Sequence, residues 1–234
     1  MTFNWNITGP NHYWSLAVEE HFYLFWPLLV YYLSTKGVKM AIFSIIAIAL
    51  ITRILLVNNG FTVFYFTLAR IDELAIGALL AIWEVNGKLT QKNSKKYLLL
   101  TGFALIPTLL LWTVTGGKGM DIIQICKFIL LSACYLGLIG FVITTGDSNF
   151  LKRFLKIKPL MFVGKISYGL YVYHPLCFYL INKYAKPESF FVHFIFSFTV
   201  AFIVSALSYY LFESKFLHLK KYFEYNTSNN KTAA

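Results

Sequence analysis

Seven apolar segments, each close to the length that crosses a membrane, dominate this chain of 234 residues. A helix spans the hydrocarbon core with roughly 20 predominantly apolar residues. The segments are 14–34, 39–57, 67–85, 97–114, 121–144, 166–184 and 190–212. The loops between them are short, and none of the segments shows the alternation of an outer-membrane strand. The sequence therefore predicts an all-α fold, a polytopic transmembrane bundle of about seven spanning helices.

The composition excludes an ordinary soluble domain. Hydrophobic residues make up 58% of the chain and charged residues 13%, whereas soluble domains are about half apolar and a quarter charged. The formal net charge of +11 would point to nucleic acid on a soluble chain. Here the basic residues lie between apolar segments, so membrane topology explains them and we expect no nucleic-acid partner.

The basic residues also predict the orientation, because they are concentrated in every second loop. Those loops hold Lys36, Lys39, Lys88, Lys92, Lys95, Lys96, Lys152, Arg153, Lys156, Lys158, Lys165, Lys215, Lys220, Lys221 and Lys231. The loops of the other side hold Lys118, Lys183 and Lys186. Positive loops stay in the cytoplasm. We therefore expect an exterior N-terminus, a transmembrane domain over 1–215 and a cytoplasmic polar tail over 216–234, in a multi-pass protein of a bacterial inner or plasma membrane.

The three cysteines do not indicate a metal site or a disulfide framework. Cys126, Cys134 and Cys177 all lie inside apolar segments, without CxxC spacing. Small buried apolar side chains are the expected role of such residues. We expect no metal.

Adjacent carboxylates lie in the first apolar segment, where a charge costs about 2.5–3.5 kcal/mol at lipid depth. On a helix Glu19 shares a face with Phe22 and Trp26, while Glu20 points about 100° away. The two acids therefore cannot face one cavity. We favour a functional role for Glu19 and an interface position for Glu20 and His21.

The third segment begins with an arginine and two acids. Arg70 and Glu73 are three residues apart and can pair on one helix face, whereas Asp72 points away from them. For Glu73 a surface position is expected. For Arg70 with either acid, the sequence leaves open a structural ion pair or a contact with substrate.

The sixth segment carries an imidazole beside a proline. Tyr171 and His174 are one turn apart, and Pro175 removes a backbone donor, which predicts a kink. His174 either satisfies a carbonyl that the kink frees or has a function. We expect polar residues of the first, third and sixth segments to meet in a wet cavity.

Three blocks of sequence resemble the acyltransferase type 3 family of membrane O-acyltransferases. The first is His12-x-Trp14-Ser15-Leu16-Ala17-Val18-Glu19-Glu20-x-Phe22-Tyr23-Leu24-x-Trp26-Pro27. The second is Arg70-x-Asp72-x-Leu74-x-x-Gly77-Ala78, and the third is Gly164-Lys165-Ile166-Ser167-Tyr168-Gly169-Leu170-Tyr171-Val172-Tyr173-His174-Pro175. Phe212-Glu213-Ser214-Lys215-Phe216 is similar to the family's closing motif, with Lys215 where proline is usual.

The resemblance implies transfer of an acyl group, expected to be acetyl, from acyl-CoA to a hydroxyl of a cell-surface or exported glycan. No tightly bound cofactor is expected, and no cofactor-binding residue is assigned. The implied catalytic residues are Glu19, which would orient an imidazole, and His174. The implied substrate contacts are Trp14, Ser15, Arg70, Asp72 and Tyr171.

The family usually has about ten helices, and its proposed catalytic histidine follows a basic residue in the first. No such basic-x10-His arrangement occurs in this sequence. We therefore expect the C-terminal two-thirds of the family domain without its presumed catalytic base. A separate chain could supply the other helices, and whether this chain is active alone stays open. Two alternatives stay open: a transporter or flippase with Glu19, Arg70 and Asp72 in the transport path, and a non-catalytic membrane fragment.

Overall fold

The structure, a computed structural model, describes residues 13–115, 121–185, 189–219 and 222, without the side chains of residues 114, 115 and 121. These residues form helices. The bounds are α1 Trp14–Tyr32, α2 Thr35–Asn58, α3 Ile71–Val85, α4 Ser94–Thr115, α5 Asp121–Thr144, α6 Phe150–Leu155, α7 Lys158–Tyr184, α8 Phe190–Ser208 and α9 Ser214–Leu219. Single 3-10 turns at Thr67–Ala69 and Gln91–Asn93 precede α3 and α4, and a π-helical turn at Tyr209–Glu213 joins α8 to α9.

The seven predicted segments all form helices, which confirms the all-α class. Four stretches of the described chain are long and apolar enough to cross a membrane: Thr35–Asn58, Gln91–Thr113, Ile122–Thr144 and Phe190–Leu219. The segments 14–34, 67–85 and 166–184 become α1, α3 and α7 and fall outside this set. At 15 residues, α3 is about 22 Å long, which is shorter than a hydrocarbon core of roughly 30 Å.

The chain divides into two compact units. His12–Phe154 forms the N-terminal unit, and the C-terminal unit begins at Leu155. In the N-terminal unit, Phe22 of α1, Ile42 of α2 and Ala75 of α3 belong to one buried cluster. This cluster places the first turn of α3 beside α1 and α2, and that turn carries the charged residues described below.

Helices α4 and α5 approach closely because two glycines of α5 face α4. A Cβ on Gly137 would lie 2.6 Å from the Oγ1 atom of Thr101, and one on Gly140 would lie 2.8 Å from the Tyr97 ring. Small residues allow such close backbone contact between membrane helices.

In the C-terminal unit, α7 continues as helix through Pro175 and packs on a row of small residues in α8. Ser197, Ala201 and Ser205 recur every four residues and are buried. A Cβ on Gly169 of α7 would lie 3.2 Å from Ser205. The Ser208 hydroxyl donates to Glu213 across the π-helical turn at 3.1 Å.

Some residues used for the predicted orientation lie outside the described part of the chain. These are Lys118, Lys186, Lys220, Lys221 and Lys231. The polar tail is described only through the end of α9 and at residue 222, and the first residue of the family-like block, His12, is also outside.

Candidate functional site

A buried ion pair joins α2 to α3. The Nη2 atom of Arg53 donates to the Oδ1 atom of Asp72 at 2.5 Å, and both side chains are 0% exposed. Arg53 also donates from Nε to the Ala69 carbonyl at 2.8 Å and from Nη1 to the Ile125 carbonyl at 3.3 Å. One guanidinium therefore connects α2, the turn before α3, α3 itself and α5.

A second ion pair lies beside the first. Arg70 and Glu73 pair as their spacing predicts: Nη2 donates to Oε2 at 3.2 Å. The Nε atom lies 2.5 Å from Oε1 without the alignment of a hydrogen bond, so this contact is electrostatic. The Nη1 atom of Arg70 is buried and has no acceptor among the described residues.

Aromatic rings surround the Arg70 guanidinium. Its Cζ atom lies 3.9 Å from the ring centre of Phe128, 5.1 Å from Trp14 and 5.3 Å from Phe64. Trp14 in turn contacts Phe64 and Tyr65, at 4.6 and 5.9 Å between ring centres. The rings shield the arginine from competing polar groups, which strengthens its interaction with any anion that reaches it.

Three cations lie around the single ring of Phe128. Arg70 is joined there by Arg53, at 5.1 Å, and by the Nζ atom of Lys127, at 4.8 Å. Phe128 is itself buried. This concentration of positive charge was not predicted, because Arg53 and Lys127 belong to apolar segments far from Arg70 in sequence.

The acids of α1 differ in environment as predicted. Glu19 is half-buried, and no hydrogen bond or ion pair to it occurs among the described residues. Glu20 and His21 are exposed, and His21 Nδ1 lies 3.4 Å from the Thr67 hydroxyl. Their position at the membrane interface stays a prediction. Ser15 is half-buried.

In the C-terminal unit, His174 donates from Nδ1 to the Leu170 carbonyl at 2.9 Å. A carbonyl only accepts, so the proton lies on Nδ1 and a neutral ring keeps its lone pair on Nε2. The carbonyl that Pro175 frees belongs to Tyr171, so this bond does not compensate for the proline. The rings of Tyr171 and His174 lie 6.1 Å apart.

The structure brings together part of the predicted site. Trp14 contacts Arg70, and both residues are predicted to contact substrate. The acid that pairs with Arg70 is Glu73, whereas Asp72 pairs with Arg53. The sequence had left open whether Arg70 pairs with Asp72 or with Glu73. Tyr171 and His174 belong to the other unit, so their meeting with Glu19 and Arg70 stays a prediction. Within the described chain, no group of three or more His, Cys, Asp or Glu is placed to hold a metal.

Comparison with known proteins assigns the family. The model of the acyltransferase domain family matches residues 1–210. The chain belongs to this family. Two of the family-like blocks, in α1 and at the start of α3, thus meet at the contact of Trp14 with Arg70 in this acyltransferase domain.

Its relatives include several O-acetyltransferases. The O-acetyltransferase OatA of Staphylococcus aureus (strain NCTC 8325 / PS 47) is 30% identical over 74% of this chain and 30% of its own length. The peptidoglycan O-acetyltransferase OatA of Listeria monocytogenes is 29% identical over 69% of this chain and 27% of its own length. A putative O-acetyltransferase of S. aureus (strain COL) is 30% identical over 88% of this chain and 36% of its own length.

The chain therefore spans about a third or less of the length of these relatives. No solved structure matches it.

Proposed function

We propose that this chain forms part of a membrane O-acyltransferase that transfers acetyl from acyl-CoA to a hydroxyl of a cell-envelope glycan. The match to the acyltransferase domain over residues 1–210 carries the proposal. The Listeria relative is named for peptidoglycan, which makes a glycan strand of the cell wall the acceptor to test first. Because the relatives are much longer, the activity, donor and acceptor of the whole protein are all part of the proposal.

The reaction sets the chemistry that the site must supply. The sugar oxygen attacks the thioester carbonyl, a C–O bond forms, the C–S bond breaks, and the hydroxyl proton passes through a base to the departing CoA thiolate. The base is usually a histidine of near-neutral pKa. Donors must stabilise the oxyanion of the tetrahedral intermediate. No tightly bound cofactor is needed.

We assign the roles by chemistry. Glu19 would orient and balance the charge of the imidazole that takes the proton, as the acid of a triad does. His174 would be that base or a contact to the acceptor. Arg70, with Trp14 beside it, would contact substrate, and Asp72 would act through Arg53 by holding the start of α3. Ser15 and Tyr171 would contact the acceptor.

A separate segment or chain that supplies the family's histidine helix is a proposed partner. In the membrane we propose seven spans, with the N-terminus outside and the C-terminus in the cytoplasm of a multi-pass protein of the cell membrane. Single cysteines introduced at Lys36 and Asn59, at the two ends of α2, test the orientation. A membrane-impermeant maleimide should label only the cysteine at residue 59 in intact cells.

The function is tested by ester analysis of the cell wall. The chain is expressed in a strain without glycan O-acetylation, alone and together with the N-terminal helices of a relative. O-acetyl groups on purified peptidoglycan in either strain, lost on adding Glu19→Gln, support the enzyme. Absence of ester in both strains contradicts it, and flux of unmodified glycan precursor in vesicles would then identify a transporter.

A further inference from the structure

The charged cluster of the N-terminal unit holds more cations than acids. Arg53 pairs with Asp72, and Arg70 pairs with Glu73. Lys127 is half-buried and has no ion pair or hydrogen bond among the described residues, and its Nζ atom lies 4.8 Å from the centre of the Phe128 ring. Counted over the described residues, these three cations and two acids leave one uncompensated positive charge.

A hydrogen-bond donor is also left over. The Nη1 atom of Arg70 is buried without an acceptor in the described chain. A buried donor without a partner is costly, and more so for a charged group. Arg70 and Lys127 both contact the ring of Phe128, with the Arg70 Cζ atom at 3.9 Å and the Lys127 Nζ atom at 4.8 Å from its centre. The free donor and the free ammonium are therefore separated by at most the width of this one ring and its two contacts.

We infer that Arg70 and Lys127, which both contact Phe128, bind a phosphate group. A carboxylate is matched best by the two-pronged fork of a guanidinium. Glu73 already occupies that fork on Arg70. What remains is one N–H donor and one point charge, which suits separate oxygens of a tetrahedral phosphate. A phosphodiester carries one negative charge, which would balance the one uncompensated positive charge of the cluster.

The position of the cluster limits where the phosphate comes from. Arg53 lies near the end of α2, Arg70 directly precedes α3, and Lys127 lies in the second turn of α5. The lysine-rich loops adjoin the opposite ends of these helices. In the proposed orientation the site faces the outer leaflet, where a phospholipid headgroup or a phosphate on a substrate reaches it. The phosphate site extends the role proposed for Arg70. Only the possibility that the phosphate belongs to a substrate rests on the proposed function.

Binding is measured on the full chain purified in detergent. Native mass spectrometry counts retained phosphatidylglycerol, with phosphatidylcholine as the zwitterionic comparison, and calorimetry measures acetyl-CoA and inorganic pyrophosphate. Lys127→Met is compared with Lys183→Met, which removes a lysine that also lies over aromatic rings, at 5.3 and 5.8 Å. Lys127→Arg restores the charge and controls for misfolding, which size-exclusion profiles and melting temperatures also monitor.

We expect Lys127→Met to weaken binding of a phosphate probe about tenfold, as the loss of one charge-assisted contact does. Lys127→Arg and Lys183→Met should stay within about threefold of the wild type. Selective loss of phosphatidylglycerol assigns the site to lipid, and selective loss of acetyl-CoA or pyrophosphate assigns it to a soluble phosphate. Equal binding by wild type and Lys127→Met for every probe, or an equal loss in Lys183→Met, overturns the inference. None of these readings needs acyl transfer, so failure of the proposed function leaves them interpretable.

Discussion

Arg53 of α2 and Asp72 of α3 form a 2.5 Å hydrogen-bonded ion pair from which solvent is excluded. Nineteen residues separate them in sequence. Because the same guanidinium also binds carbonyls before α3 and in α5, the pair fixes the position of the turn that carries Arg70. The charged cluster is thus arranged from inside the helix bundle.

Removal of one member of this pair should destabilise the N-terminal unit strongly. Arg53→Met leaves the Asp72 carboxylate, and Asp72→Asn leaves the Arg53 guanidinium, as a buried charge without its counter-ion. Such a loss costs about 3–5 kcal/mol. Thermal unfolding in detergent measures the change. Lys152→Met, which breaks the partly exposed pair with Asp147 and a hydrogen bond to the Thr145 carbonyl, should shift the melting temperature much less. Equal shifts in the buried and the exposed variants would contradict the structural role.

Glu19 and Glu20 offer a matched pair of substitutions. Glu19→Gln should lower O-acetylation about a hundredfold if this acid balances the catalytic imidazole, whereas Glu20→Gln, on the exposed face, should change it less than about threefold. Ester content per unit of membrane-inserted protein is the measurement. Equal losses in both variants would remove Glu19 from the proposed site.

Arg70→Lys should weaken transfer although it keeps the charge. A lysine ammonium has three donors but lacks the planar guanidinium, so it cannot reproduce the geometry in which one edge pairs with Glu73 while Nη1 points elsewhere. We expect about a tenfold loss in kcat/KM, equivalent to one charge-assisted hydrogen bond. Arg153→Lys, at an exposed position, is the control and should match the wild type. An active Arg70→Lys enzyme would indicate that only charge is needed.

His174 is tested by comparison with His193, another imidazole of its unit. His174→Gln should reduce transfer at least about a hundredfold if the imidazole is the base, while His193→Gln should leave it within about threefold. The pH profile of the residual activity distinguishes the two proposed roles. If the variant no longer shows the change of rate near neutral pH that the wild type shows, His174 is the base. If KM rises and the pH profile is unchanged, His174 contacts the acceptor.

The close approach of α4 and α5 gives a prediction about stability alone. Gly137→Ala places a Cβ against Thr101 backbone and side chain, which should cost about 1–3 kcal/mol. Gly102→Ala has open space around its Cβ and should stabilise by up to about 1 kcal/mol through helix propensity. Unfolding of the two variants in the same detergent measures whether each substitution lowers or raises the free energy of unfolding. A neutral Gly137→Ala would mean that the helices separate more than described.

The sequence predicted those features that depend on neighbours along one helix. The helices follow from apolar length, and the Arg70–Glu73 pair follows from its three-residue spacing. The separation of Glu19 from Glu20 follows from the 100° step of a helix.

Features that depend on packing between helices were not predicted. Arg53 and Lys127 are isolated charges within apolar segments, and nothing local specifies which helix each one meets. The sequence left Arg70 open to pairing with Asp72 or Glu73, whereas the fold pairs Asp72 with Arg53. For Arg53 the sequence could have predicted that a buried counter-ion exists, because a charge at lipid depth needs a partner.

The π-helical turn at Tyr209–Glu213 changes how the closing motif must be aligned. A wider turn holds one extra residue, which rotates everything after it by about 100° relative to an uninterrupted helix. A helical wheel drawn straight from α8 into α9 therefore misassigns the azimuth of Ser214, Lys215 and Phe216. Deleting a single residue from this turn would realign all three, so an indel there alters the outer surface of α9 while leaving its composition nearly constant.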